Sequence, residues 1–226
     1  QWNGPVRVLG GAGTGKTVVA MHRARWLARN VAAERQGKVL FTTFTRNLAV
    51  DIRENLSKIC TRGELDRIEV TNIDRWVGQF LRNREYPHQV VYEGQHEYRD
   101  CWSNAMQMTP PELNLHESFY WEEWQDVILP QRVMDKAGYF KASRTGRGVP
   151  LSRKQRAQIW PVFEEMRIQL HQKGLKTIED ATIDALDLLT RQDAEAPYRC
   201  LVVDEAQDMG LEAMNLFRCM APRTTD

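Results

Sequence analysis

At 226 residues the chain is long enough for one large domain or two small ones, and 42% apolar residues with seven tryptophans supply ample core. A net charge of +1 removes any global electrostatic argument for a polyanionic partner. No apolar run approaches the roughly 20 residues of a membrane span and the N-terminus carries no signal-peptide pattern, so a cytoplasmic protein without a membrane partner is expected.

In chain order, Val6-Arg7-Val8-Leu9 reads as a short buried strand. Gly10-Gly11-Ala12-Gly13-Thr14-Gly15-Lys16-Thr17 follows, with four residues between Gly10 and Gly15-Lys16-Thr17, the spacing of a phosphate loop. Val18-Val19-Ala20-Met21 continues into a helix that reaches about Asn30. This order aims backbone N–H groups and the positive end of a helix dipole at one anion, while glycines let the backbone wrap it without Cβ clashes. The pattern calls for a nucleoside triphosphate on Gly10 to Thr17, with Lys16 reaching the β- and γ-phosphates and the Thr17 hydroxyl on Mg2+.

Gly37 precedes a second strand from Lys38 to Thr43, after which Leu48, Ile52, Leu56 and Ile59 recur at helical spacing. Ile68-Glu69-Val70-Thr71 forms a third strand, and Trp76, Val77, Phe80 and Leu81 mark another helix. The alternation predicts an α/β fold, a parallel sheet with helices on both faces.

From about Glu85 helical patterns take over, as in Phe119/Trp121/Trp124/Ile128, Ile159/Val162/Phe163/Met166/Leu170 and Ile183/Leu186/Leu189. The expectation is a mainly helical subdomain over 86–195, inserted into a core formed by 1–85 and 196–226. Charge is segregated within it: Glu93 to Asp126 is acidic but for Arg99, and Arg132 to Arg156 is basic but for Asp135. Such segregation suggests one face built for a polyanion and another that repels it. Arg144 and Arg147, beside Gly146 and Gly148, could approach a nucleic-acid backbone closely, with a solvated helical face as the alternative for this basic stretch. Phe119-Tyr120-Trp121 and Trp124 could stack on bases, but aromatics at this spacing more often belong to a core, and that reading is preferred here. Cys60, Cys101, Cys200 and Cys219 are scattered, as are the histidines, which predicts reduced thiols and no structural metal.

Cys200-Leu201-Val202-Val203 then reads as a buried parallel strand that delivers Asp204 and Glu205 at its C-terminal edge, where ligands of open α/β sheets bind. Asp204 there would hold magnesium through its water shell, and Glu205 would orient and deprotonate the attacking water.

Gly-Gly-Ala-Gly-Thr-Gly-Lys-Thr (10–17), Thr-Phe-Thr (43–45) and Val-Asp-Glu-Ala-Gln-Asp (203–208), in this order, resemble the UvrD/Rep-like superfamily 1 DNA helicases. The phosphate loop is shared by many unrelated nucleotidases, whereas Asp-Glu-Ala-Gln-Asp is far more selective. The resemblance covers the first RecA-like domain of that family and implies ATP-driven translocation on single-stranded DNA, usually 3′ to 5′, with strand separation. It implies that Lys16 and Thr17 bind phosphate and magnesium, Asp204 binds magnesium, Glu205 is the catalytic base, Gln207 senses the γ-phosphate and Asp208 helps couple the site to DNA. Thr43, Phe44, Thr45 and Thr71 are then expected on the DNA-facing edge of the sheet, with a plain core residue as the alternative for Phe44. Thr71-Asn72-Ile73-Asp74 departs from the family pattern, which often ends in histidine, and this puts a phosphate contact from position 74 in doubt.

A Gly-Asp-x-x-Gln strand, a second RecA-like domain and its γ-phosphate arginines belong to the family pattern and do not occur in these residues; Gln1 is too close to the loop to read adenine. The resemblance therefore implies a fragment whose partner is the C-terminal RecA-like domain of the same protein, and whose own hydrolysis is slow. A nucleotide-regulated binding module of a nuclease or toxin-associated complex is the competing reading, against which the intact Glu205 argues. A metabolite kinase fits the long insert and the Asp-Glu-Ala-Gln-Asp segment poorly, and a transporter ATPase would need a Leu-Ser-Gly-Gly-Gln-like segment that is absent.

Overall fold

A computed structural model describes residues 6–33, 37–191 and 196–222; Gln1 and the expected boundary at 195 lie outside them. In chain order the elements are α1 (Lys16–Leu27), β1 (Val39–Thr43), α2 (Arg46–Ile59), α3 (Arg62–Leu65), β2 (Ile68–Asn72), α4 (Ile73–Arg82), β3 (Gln89–Val91) and α5 (His96–Ala105). There follow α6 (Glu117–Glu123), α7 (Lys136–Lys141), α8 (Arg153–Gln172), β4 (Leu175–Thr177), α9 (Ile178–Arg191), β5 (Cys200–Val203) and α10 (Leu211–Met220). They form two compact units, residues 1–80 with 182–226 and residues 81–181. The chain leaves the first unit within α4 and returns to it within α9.

The first unit is α/β, with a parallel sheet in the order β2-β1-β5 and helices on both sides. β1 is the central strand and all five of its residues are buried, as a strand covered on both faces must be. Val39 and Phe41 pack with Met21, Ala24 and Leu27 of α1 and with Ile52 and Leu56 of α2. The apolar spacing of α2 thus becomes a single buried stripe, and its start is fixed by Thr45, whose Oγ1 accepts the Leu48 N–H at 3.3 Å. Trp76 of α4 donates its indole N–H to the Tyr198 hydroxyl at 2.7 Å, tying α4 to the segment that enters β5.

The expected first strand is corrected. Val6–Leu9 is not a strand, and Val6, Val8 and Leu9 are 58%, 50% and 76% exposed. β5 likewise is only half-buried, because β1 pairs with one of its edges and no other strand pairs with it among the described residues. An apolar run becomes a buried strand only when a neighbour completes its ladder, and neither segment finds that neighbour here.

The second unit is mainly helical, with a short parallel pair, β3 and β4, that the helical patterns had hidden. α8 starts with a capping box in which Ser152 and Gln155 satisfy each other's backbone N–H groups. Its Ile159, Phe163 and Met166 are fully buried with Trp124 and Tyr139. Phe119 and Tyr120 are buried and Trp121 packs against the same cluster, so these aromatics belong to the core, as preferred above. Trp124 stacks on Phe163 at 6.2 Å and donates to the Tyr98 hydroxyl at 2.9 Å.

The basic and acidic stretches of this unit, separate in sequence, meet in space. Glu123 is fully buried; Arg144 reaches both its oxygens, at 2.6 and 2.9 Å, and Tyr139 donates to it at 2.7 Å. Arg147 joins Glu122 at 2.8 Å, Asp126 at 3.0 Å and Glu123 at 3.3 Å. The glycine-flanked loop is thereby pinned to α6 and the turn after it. Burial and the Glu123 carboxylate together push the Tyr139 hydroxyl far above its ordinary range.

Candidate active site

All parts of this site lie in the first unit. Gly15 ends the loop in the left-handed region at φ 80°, where a side chain would be strained, and serves as the N-cap of α1. It offers no side-chain cap, and α1 has no acidic residue in its first turn. Helices α2 and α8, by contrast, have their first N–H groups satisfied by Thr45 and Ser152. The opening N–H groups of α1 are thus left without a side-chain cap, the arrangement that accepts an external anion. At Gly10 a Cβ would come within 2.5 Å of Thr14 Oγ1, which donates to the Gly11 carbonyl at 2.9 Å. Lys16 folds back on the loop, giving protons to the Gly10 and Gly11 carbonyls at 2.9 and 2.8 Å.

The loop meets the distant acidic segment directly. Thr17 donates through Oγ1 to Asp204 Oδ2 at 2.8 Å, across 187 residues of sequence. Asp204 sits one residue beyond β5, only 5% exposed, and its N–H is held by the Thr42 carbonyl at 2.9 Å. Sheet pairing therefore sets the carboxylate, and a hydroxyl with a hard oxygen anion beside it is the donor set that magnesium prefers. Glu205 follows in the left-handed region at φ 51°, an uncommon conformation for a side-chain-bearing residue, which turns the chain sharply after Asp204. Gln207 donates its amide to the Glu205 carboxylate and, at 3.3 Å, to Asp208. Asp204, Glu205, Gln207 and Asp208 thus occupy one short turn beyond the sheet.

The residues expected to meet nucleic acid separate into groups. Phe44 is 50% exposed just past β1, so the core alternative for it is overturned. Thr45 lies beside it but uses its hydroxyl as the α2 cap, and the Thr71 hydroxyl donates to the Asn72 carbonyl at 3.3 Å. Thr43 is fully buried in β1, and its hydroxyl, like that of Thr42, finds no hydrogen-bond partner among the described residues. Arg144 and Arg147 lie in the other unit and are 7% and 11% exposed; their carboxylate partners replace the phosphate contacts expected of them. Sequence reading passed over Arg46, the first residue of α2, whose charge acts on Asp74. Burial raises the Asp74 carboxyl above its usual range and Arg46 partly offsets this. A basic residue right after Thr-Phe-Thr was the signal available for it.

Two relatives carry the same name, ATP-dependent DNA helicase UvrD2, one from Mycobacterium bovis and one from Mycobacterium tuberculosis. Each is 26% identical to this chain over 230 residues, covering 91% of it and 31% of its own length. This chain therefore spans about a third of the relatives it matches. The model of the UvrD/REP helicase N-terminal domain matches residues 1–226. With that match over the whole length, the chain belongs to the UvrD/REP helicase N-terminal domain family.

Proposed function

We propose that this chain is the ATP-binding part of a motor that moves along single-stranded DNA, in the 3′ to 5′ direction, and separates strands. The contact between Thr17 and Asp204 carries the reading, because it joins the loop to the acidic turn at the place where a triphosphate's metal would sit. The open start of α1 fits the phosphates, and the Thr17 hydroxyl with the buried Asp204 carboxylate fits Mg2+. When bound, that ion would neutralise charge on the phosphates. Lys16, now on its own loop carbonyls, turns to the phosphates; Glu205 orients and deprotonates the attacking water, and Gln207, already bonded to Glu205, links it to the γ-phosphate.

Phe44 is the leading candidate for stacking on a base, with Thr45 and Thr71 near it at the sheet edge. Base–aromatic stacking contributes about 1–3 kcal/mol per base, so Phe44→Ala should weaken single-stranded DNA binding about tenfold in a fluorescence anisotropy titration. The rest of the longer protein is the expected partner, supplying the γ-phosphate arginines and a strand for the outer edge of β5. Hydrogen exchange at Cys200–Val203 should accordingly slow in the longer protein, and these 226 residues by themselves should not unwind a tailed duplex; unchanged exchange or processive unwinding would count against this.

A binding assay tests the reading. Fluorescent ATP analogue should bind the chain more tightly with Mg2+ than with chelator, and Asp204→Asn should remove that difference while leaving metal-independent binding. Equal affinity in both conditions for the unaltered chain would overturn the assignment.

A further inference from the structure

The end of the first unit opposite the candidate active site holds an arginine-lined cleft. Strands β1 and β2 run parallel, and their C-terminal ends carry Thr43 and Thr71 near the acidic turn. At their N-terminal ends lies a cleft of about 410 Å³ lined by Arg25, Arg29, Thr61, Gly63, Glu64 and Arg67. Arg25 is in the last turn of α1, nine residues after Lys16, which places it about 13 Å along the helix from the phosphate loop.

Three arginines and one carboxylate line the cleft, and that carboxylate is already engaged. Glu64 accepts the Thr61 N–H at 2.8 Å and Arg25 Nε at 3.3 Å on the same oxygen. The Thr61 N–H first, and the Arg25 charge after it, hold its carboxyl below the usual range, so it remains ionised and serves as the capping-box anion of α3. Arg67 is braced by the Gly63 carbonyl at 2.7 Å, and neither it nor Arg29 has a carboxylate partner among the described residues. A helix C-terminus favours a nearby cation, which accounts for Arg25 and for Arg29 in the π-helical continuation of α1 (Ala28–Ala32), but not for Arg67 on the same concave wall. Planar guanidinium forks that converge on a cleft match a tetrahedral oxyanion.

We propose that this cleft is a second anion site, separate from the phosphate loop, and that it takes a phosphate or pyrophosphate group through Arg25, Arg29 and Arg67. The group is either a free polyphosphate or the terminal phosphate of an oligonucleotide. The site does not depend on the ATP assignment, and Lys16→Ala separates the two.

Isothermal titration with pyrophosphate at constant ionic strength is the test. The Lys16→Ala chain should still bind one equivalent, and adding Arg29→Gln or Arg67→Gln should weaken that binding about tenfold each, the loss of one charge-assisted hydrogen bond. Arg29 is exposed, so its variant should keep the melting temperature of the parent. A 5′-phosphorylated dinucleotide that binds more tightly than pyrophosphate identifies the oligonucleotide as the source; weaker binding identifies the free anion. No binding by Lys16→Ala, binding unmoved by both arginine variants, or equal binding of sulfate would each overturn the site.

Discussion

Replacing Glu205 by glutamine should lower the ATP hydrolysis rate of the full-length protein by about 10²–10⁴-fold, the usual contribution of a positioned general base. Nucleotide binding should survive, because the contacts proposed to hold the triphosphate come from the loop, Thr17 and Asp204, none of which the substitution touches. Glutamine keeps the size of the side chain and its capacity to accept from Gln207, so the turn at φ 51° should persist. Steady-state rates beside ATP affinities check this. A variant that keeps its rate would remove Glu205 from the chemistry, and one that loses both rate and binding would make it a structural residue of the turn.

The second large effect concerns stability. Arg144→Ala should destabilise the helical unit by about 3–5 kcal/mol, the range seen when one partner of a buried ion pair is removed. Arg144 and Glu123 are 7% and 0% exposed, so water cannot take over the lost bonds, and the carboxylate is left with Arg147 and the Tyr139 hydroxyl. Truncating exposed Lys154 of the same basic stretch should stay within about 0.5 kcal/mol. Denaturant melts of the two variants decide the matter. Equal, small losses would mean that the cluster is solvated and that Arg144 is available to a phosphate after all.

How far the sequence could be read follows from what each signal depends on. β1, β2, α2 and α8 were legible because periodicity acts locally: Leu48, Ile52 and Leu56 define a stripe whatever lies around them. The strand at Val6–Leu9 was misread because its burial depends on a neighbour that local pattern does not supply. The loop and the Asp-Glu turn were found as motifs, but their meeting through Thr17 and Asp204 is a product of strand order, since β1 beside β5 lets the Thr42 carbonyl hold Asp204.

Charge was the least readable property. Segregation along the chain suggested an exposed basic face, and folding cancelled much of it by laying Arg144 and Arg147 on Glu122, Glu123 and Asp126. The cationic cleft at Arg25, Arg29 and Arg67 has the opposite history: Arg67 is distant in sequence from the other two, and only the packing of α3 against the π-helical continuation of α1 (Ala28–Ala32) gathers them. Side chains that pair across long separations carry no periodic signal, so their net field emerges only with the fold.

In the proposed motor, nucleotide chemistry at Lys16, Thr17, Asp204 and Glu205 is coupled to single-stranded DNA. The most direct measurement is the ATP hydrolysis rate of the full-length protein with and without single-stranded DNA, with Glu205→Gln as the blank. Single strands should stimulate the rate strongly, and the stimulation should vanish in the variant. A low rate indifferent to DNA would contradict it and favour a nucleotide-regulated binding module.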